Sequence, residues 1–499
     1  MGPLETLPLT RDGLRVERSC RIQAPAGLLA DEAGGGVVRI VADGVTVELA
    51  GELRGSPVEA APDTFVGVGI RVTGKNVTLR GARVSGYKVA IHAVEADGLV
   101  LEDCDVSGNF RQRLRSTQEK EADEDWLDPH HNDAREWFTK YGAGIYVERA
   151  QGVTVRRCRA RKGQNGLVLE RCGKAQVFDN DFSFLSGWGI ALWRSSDNVI
   201  ARNACDFCIR GYVHGVYNRG QDSAGILLFE QCSRNVIAEN SATHCGDGFF
   251  AFAGQEALGG APPPSAEFSH LERGNNQNRI WGNDFSYAAA HGLELTFSFE
   301  NRIVLNRFVG NAICGIWGGY SRCTVIEANT FEANGSAGYG LERGGINIEH
   351  GQGNLIRYNT FKGNACGVHL WWDEDAHLAK LPWVAANGHE SKDEKVYWNR
   401  FELDQLGIHL RGPTRVLLGE EVSANVFTNV ERETEVEREA RVTQILDSNY
   451  PGNPMVWIAP RDLPGEKRPV GARHVLAGRD KIQLGEWGPV EPTPAPGPK

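Results

Sequence analysis

Asp247 and His291 each stand directly before a glycine that opens a short run of alternating apolar residues, in DGFFAFA (247–253) and HGLELTF (291–297). Glu294 lies two residues past the second of those glycines, and Asp222 three residues before Gly225 in the similar run AGILLFE (224–230). If the runs are consecutive strands stacked in register, Asp247 and His291 come about 5 Å apart, with Asp222 and Glu294 beside them. Two carboxyl groups in unlike surroundings are what acid and base catalysis at a glycosidic bond requires. An imidazole next to a carboxylate is tuned to either role. The plainer role for the same residues is an Asp–His pair that holds a corner.

The stretch RGYVHGVYNRGQDS (210–223) adds Arg210, His214, Tyr217 and Arg219 to Asp222. A guanidinium there suits a substrate carboxylate or sulfate, which it grips through two parallel hydrogen bonds. His214 is a further acid–base candidate. An arginine, histidine or tyrosine in this stretch would also serve to take the proton next to the carboxylate of a uronic acid. An internal Arg219–Asp222 ion pair is the structural alternative.

These residues meet only if the chain repeats, and it does. A glycine followed by an apolar–x–apolar run recurs at 144, 166, 189, 225, 248, 292, 315, 345, 367 and 407, with several intervals of 22 or 23 residues. A second motif runs out of phase with it, as in NVIARN, NVIAEN, NRIWGN, NRIVLN and NLIRYN, whose last asparagines are 203, 240, 283, 306 and 359. Related asparagines fall at 180, 329, 399 and 425. No segment keeps a helical period of 3.6. The repeat therefore predicts an all-β solenoid, one coil per unit, with two or three short strands and tight corners in each coil. Asparagines at matching corners are expected to stack as a hydrogen-bonded ladder along the axis.

In each glycine-anchored strand, positions +1 and +3 after the glycine face the core and +2 and +4 face outward. The outward columns carry Trp193, Phe252 and Trp317 together with Glu294, Glu349 and His369, and His350 follows Glu349 directly. Aromatic faces beside polar groups suit sugar rings, so Trp193, Phe252, Trp317, Glu349, His350 and His369 join Arg210, Tyr217 and Arg219 as candidate substrate contacts. Packing of the aromatics beneath insertions is the competing expectation.

The repeat resembles that of the right-handed parallel β-helix proteins of the pectate-lyase-like superfamily, which includes pectin-active enzymes, mannuronan C5-epimerases and NosD-like proteins. The resemblance covers about residues 65–430. It implies a right-handed parallel β-helix with long loop insertions on one flank; because the superfamily hosts lyases, hydrolases, epimerases and non-enzymes, it does not choose the chemistry. LDPHHND (127–133) is similar to the DPH-type signature of the epimerases, carried by Asp128, Pro129 and His130, but it sits in a charged insertion rather than on a repeat strand.

Around the repeat, residues 1–64 are expected to form N-terminal cap strands, 65–430 the β-helix, and 431–499 a capping segment ending in a flexible, proline-rich tail or linker. Insertions span 111–141, 210–223, 254–277, 335–344 and 373–395, and the first is placed to fold over a groove formed by the next two. A formal net charge of −10 argues against a nucleic acid as partner. No apolar run of membrane-spanning length occurs. The eleven cysteines lack a second CxxC pair and read as small buried residues. Acidic residues are numerous enough for calcium, but no EF-hand loop or calcium-binding nonapeptide array is present, so no cofactor and no metal site is expected. Residues 1–11 lack the features of a secretion signal; the resemblance nonetheless implies action outside the cytoplasm, secreted or periplasmic.

The functional expectation is a carbohydrate-active enzyme that cleaves a polysaccharide or oligosaccharide, with glycoside hydrolysis ahead. Its catalytic set would be Asp222, Asp247, Glu294, His291 and His214. A lyase or C5-epimerase acting on a uronic-acid glycan is the alternative favoured by Arg210, Arg219, His214 and His291. A non-catalytic glycan-binding or surface protein is the third.

Overall fold

The computed structural model describes residues 4–117, 119–211, 220–263, 265–271, 273–337, 343–412, 415–418, 425–437, 441–444, 459–466 and 476–491. Successive coils contribute strands to one sheet of 16 and another of 15, and the later coils build a third of 5 strands. Within these sheets each strand pairs in parallel with its counterpart one coil away, as a solenoid requires. The 15-stranded sheet carries the glycine-anchored runs. Its register follows the expected columns: Leu227 pairs with Phe250, Phe250 with Glu294, Glu294 with Trp317, Trp317 with Asn347, and Asn347 with His369.

The asparagine column forms from Asn180 through Asn203, Asn240, Asn283, Asn306, Asn329, Asn359 and Asn399 to Asn425. Each Nδ2 donates to the Oδ1 of the next at 2.9–3.2 Å. That oxygen also accepts the backbone N–H of the preceding asparagine, so the corner amides are satisfied without water. The residue before each asparagine from Asn180 to Asn399 is held in the left-handed region even where it is not glycine, as at Arg202, Glu239 and Leu305. Such a conformation costs on the order of 1–2 kcal/mol, and the ladder bonds offset it. Two shorter ladders run beside the first, Asn198–Asn235–Asn278–Asn301 and Asn311–Asn334–Asn364–Asp404. Two residues after the main column, Phe285, Phe308, Phe331, Phe361, Phe401 and Phe427 stack in the core with centroids 4.6–5.8 Å apart.

Three expectations about the body of the solenoid need correcting. Residues 6–54 are not a separate cap: Thr6–Pro8, Leu14–Val16, Cys20–Gln23, Val38–Ile40 and Thr46–Ala50 already pair in parallel as the first coils. The stack also continues past residue 430, because Arg432–Val436 pairs with Leu406–Arg411 and Arg441–Gln444 with Arg415–Leu418. Third, residues 476–491 return along early and middle coils. Ile482 packs with Phe184, Phe207, Ile209 and Ala289, Leu114 N–H donates to Glu486 O, and Arg161 pairs with Glu491 at 3.1 Å. The proposed tail beyond residue 491 lies outside the described residues.

The insertion at 111–141 covers the outward face of the sheet's earlier half. Leu127, Trp137 and Tyr141 bury Tyr146, Val168, Trp188, Trp193, Leu227 and Phe250 beneath them. Trp137 lies 4.6 Å from Trp188 and 5.2 Å from Trp193, ring to ring. The outward columns are thus solvent-facing only where no insertion lands on them.

Candidate active site

Where that cover ends, the residues that opened the sequence reading come together. Asp247 begins the strand Asp247–Phe252 and His291 begins its neighbour His291–Thr296. The backbone N–H of His291 donates to Asp247 Oδ1 at 2.9 Å. One side-chain ligand atom each from Asp247, His291 and Glu294 lie within 4.8 Å of one another. Asp247 is 2% exposed, whereas His291 and Glu294 are partly open.

Asp222 arrives from the preceding coil on the turn Gly220–Asp222. That turn presses on the backbone of Gly246: a Cβ at Gly220 would sit 2.3 Å from the Gly246 Cα, so both positions must stay bare for the turn to reach Asp247. The 111–141 insertion from outside and Trp188 from the neighbouring strand fix the turn. Leu127 N–H donates to Gln221 O, Gln221 Nε2 donates to Ala122 O at 2.7 Å, and Trp188 Nε1 donates to Asp222 O at 2.9 Å.

Burial, and next the charges of Glu294 and Asp222, hold the Asp247 carboxyl well above the ordinary carboxylate range, against the lowering by the His291 amide. The site therefore pairs a buried carboxyl group whose pKa is raised with a partly open carboxyl group on the adjacent coil. Trp317 forms the floor one coil on. Its ring lies 6.0 Å from that of His291 at an interplanar angle of 28°. It extends over Gly319, where a Cβ would meet the indole at 3.1 Å.

Other expected site residues lie elsewhere. Arg210 is 2% exposed; its Nε donates to Asp125 O at 2.6 Å and its Nη1 to Ser186 Oγ at 3.2 Å, so it anchors the 111–141 insertion instead of meeting substrate. Trp193 is 1% exposed beneath Trp137, which removes it from the groove. Phe252 is half-buried between His130 and Phe297, at 4.9 and 6.0 Å. His369 is buried, with Nδ1 2.7 Å from Asn347 Oδ1 and its ring stacked 4.6 Å from His409. Glu349 and His350 stand two coils beyond Glu294, apart from the Asp247 group. His214, Tyr217 and Arg219 lie outside the described residues. In the epimerase-like LDPHHND segment, Asp128 pairs with His131 at 3.1 Å. His130 turns onto Phe229 and Phe252, and burial lowers its pKa.

Two groupings had no sequence signal of their own. Glu230 and Glu256 meet beside Arg194, with Glu230 pushed up to about 9 by burial and by its acidic neighbour. Glu230 Oε1 also accepts the backbone N–H of Gln255 at 3.2 Å, which ties the helix Gln255–Leu258 to the coil. Asp373 approaches His350 to 3.7 Å from the 373–395 insertion; a loop residue has no register from which that meeting could be read.

The family described as right-handed β-helix region matches residues 143–325 and 265–379. No curated protein matches the sequence. Among solved structures, the A-module of a mannuronan C-5 epimerase of Azotobacter vinelandii is 12% identical, with 88% of this chain and 90% of that chain covered and a TM-score of 0.37. The catalytic domain of a GH87 α-1,3-glucanase is 10% identical over 86% of this chain and 64% of that one, with a TM-score of 0.45. DFA-IIIase from Arthrobacter chlorophenolicus is 14% identical over 71% and 88%, with a TM-score of 0.41. Together with the parallel pairing of its coils, the family match identifies the fold of this chain as a right-handed parallel β-helix.

Proposed function

We propose that the protein cleaves a glycosidic bond of a polysaccharide or oligosaccharide at the open end of the covered sheet. The observation that carries this reading is the buried Asp247, its pKa raised, within reach of the partly open Glu294. In this reading Asp247 is the general acid that protonates the leaving-group oxygen, and Glu294 is the nucleophile or base on the anomeric side. The close approach of their oxygens is nearer the separation of about 5–5.5 Å that goes with a covalent glycosyl intermediate than the wider one that admits a water. Trp317 offers a flat face for the apolar side of a sugar ring. His291 orients Asp247 through its backbone N–H, and Asp222 adds negative charge that keeps the acid protonated.

The lyase or epimerase reading loses Arg210, whose donors are spent on Asp125 and Ser186. Action outside the cytoplasm remains part of the proposal. Among the described residues, no helix is long and apolar enough to cross a membrane.

The test is incubation with neutral and uronic polysaccharides, followed by assays for reducing ends, unsaturated uronates and C5 inversion. Reducing ends without unsaturation, abolished in Asp247→Asn and Glu294→Gln, support the proposal. Unsaturated products, inversion without cleavage, or full activity in both variants would overturn it.

A further inference from the structure

We propose that Glu349, His350 and Asp373 form a binding site for a divalent cation of the manganese-to-zinc series. The site goes beyond the glycosidase reading and does not depend on it.

The argument begins with the tautomer of His350. This residue sits in the left-handed corner that ends the strand Gly344–Glu349, at φ 54. Its side chain is 0% exposed. One face of the ring lies against Tyr320, at 4.5 Å and 13°, and the Trp371 and Trp372 indoles stand 6.5 and 6.3 Å away. Nδ1 is bonded to the backbone carbonyl of His389. A carbonyl only accepts, so Nδ1 must carry the proton, and in the neutral ring Nε2 presents a lone pair.

That lone pair is directed at two carboxylates. Nε2 is 3.4 Å from Glu349 Oε1 and 3.7 Å from Asp373 Oδ1, with no well-aligned hydrogen bond among the described residues. Burial opposes protonation, but Glu349, the His389 carbonyl and Asp373 raise the His350 pKa, so a proton competes with a cation for Nε2. One ligand atom from each of the three residues falls within 4.8 Å of the other two. A lone pair facing two anionic oxygens is repulsive unless something positive lies between them. A proton on Nε2 can point to only one oxygen at a time. A cation about 2.0–2.2 Å from each donor satisfies all three after a small closure.

The surroundings fit the same conclusion. An Nδ1–H bonded to a backbone carbonyl is the outer-shell contact that fixes metal-binding imidazoles. One nitrogen and two oxygens suit first-row transition ions and zinc, whereas calcium takes six to eight oxygens. Glu349 at 20% and Asp373 at 57% side-chain exposure leave an entry path and room for water ligands. Asp373 belongs to the insertion whose Trp383 stacks on Phe299 at 5.5 Å, and Arg322 donates to the carbonyls of Asn387 and Gly388 in the same insertion. With the His350–His389 and Gln352–Glu390 bonds, a cation would add one more tie between the insertion and the coil.

The test uses full-length protein stripped with a chelator and titrated separately with Co²⁺, Zn²⁺, Mn²⁺ and Ca²⁺ by calorimetry, with the Co²⁺ ligand-field absorption recorded. The expected result is tight uptake of Zn²⁺ and Co²⁺, absent in His350→Gln and weakened at least about tenfold in Asp373→Asn, with weaker Ca²⁺ binding. Asp373 is exposed, so that variant keeps the fold even if His350→Gln does not. Uptake must survive in Asp247→Asn, which disrupts the other Asp–His–Glu group. No Zn²⁺ or Co²⁺ uptake by the wild type, uptake unchanged in Asp373→Asn, or uptake lost in Asp247→Asn would overturn the proposal.

Discussion

From Tyr146 to Phe250 the outward residues two past each glycine of the 15-stranded sheet are apolar, and Glu148 and Glu170 in the next outward column are buried against Arg135 and Asn132. All lie under the 111–141 insertion, with Trp137, Trp188 and Trp193 buried against one another. From Glu294 to Glu349 the same outward positions hold carboxylates, Trp317 and Asn347, and part of them reaches solvent. The backbone is equivalent in both halves. What differs is the composition of the loop that reaches the face: an insertion bearing Leu127, Trp137 and Tyr141 makes a second core, and where that cover stops a groove remains. Position in a repeat therefore fixes which way a side chain points but not whether it meets water.

If the edge where the cover gives way to the open half carries the chemistry, Asp247→Asn and Glu294→Gln should each lower glycan cleavage by about 10²–10⁴-fold, measured as initial rates on folded protein. Trp193→Ala in the covered half should leave the rate per folded molecule nearly unchanged. A similar rate loss in Trp193→Ala would erase the distinction between the halves.

Stability should show the reverse ranking. Trp137→Ala should cost about 3–5 kcal/mol in urea unfolding, as for a large aromatic removed from a core. Trp317→Ala, partly exposed, should cost much less while weakening substrate binding.

A third measurement concerns pH. Burial raises the Glu394 carboxyl from its ordinary 4.5 to about 8. Between those values the folded protein holds a proton that the unfolded chain releases. Its contribution to stability is thus complete below about pH 4.5 and falls as pH rises towards about 8, with a slope of at most about 1.4 kcal/mol per pH unit. Glu394→Gln should flatten that segment of the stability profile; an unchanged slope would assign it to other groups. Asp247, also raised, should give the cleavage rate an alkaline limb that Glu394→Gln leaves in place.

The glycine and asparagine columns were legible because successive coils turn the same corner over most of the stack, so one geometric need recurs in the sequence. The phenylalanine stack was equally regular, two residues after each asparagine from Phe285 to Phe427, yet a single Asn-x-Phe is too short to separate from ordinary core alternation. Asp247, His291 and Glu294 could be brought together on paper because they sit on repeat strands. Asp373 and Arg210 could not, since their partners depend on how a loop lands. Trp193 carried the right residue type for a sugar platform, and only the landing of Trp137 decides against it.

The returning segment 476–491 bears on the order in which the molecule is made. Coils that touch only their neighbours can wind up one by one as the chain leaves the ribosome. The contacts from Arg111 to Trp487 and from Arg161 to Glu491 join residues 376 and 330 positions apart, so they wait until the chain has been made at least as far as these late residues. Until then the apolar flank of Phe184, Phe207 and Ile209 lacks the cover of Ile482. A nascent or prematurely terminated chain therefore exposes a sticky seam that the finished protein has closed.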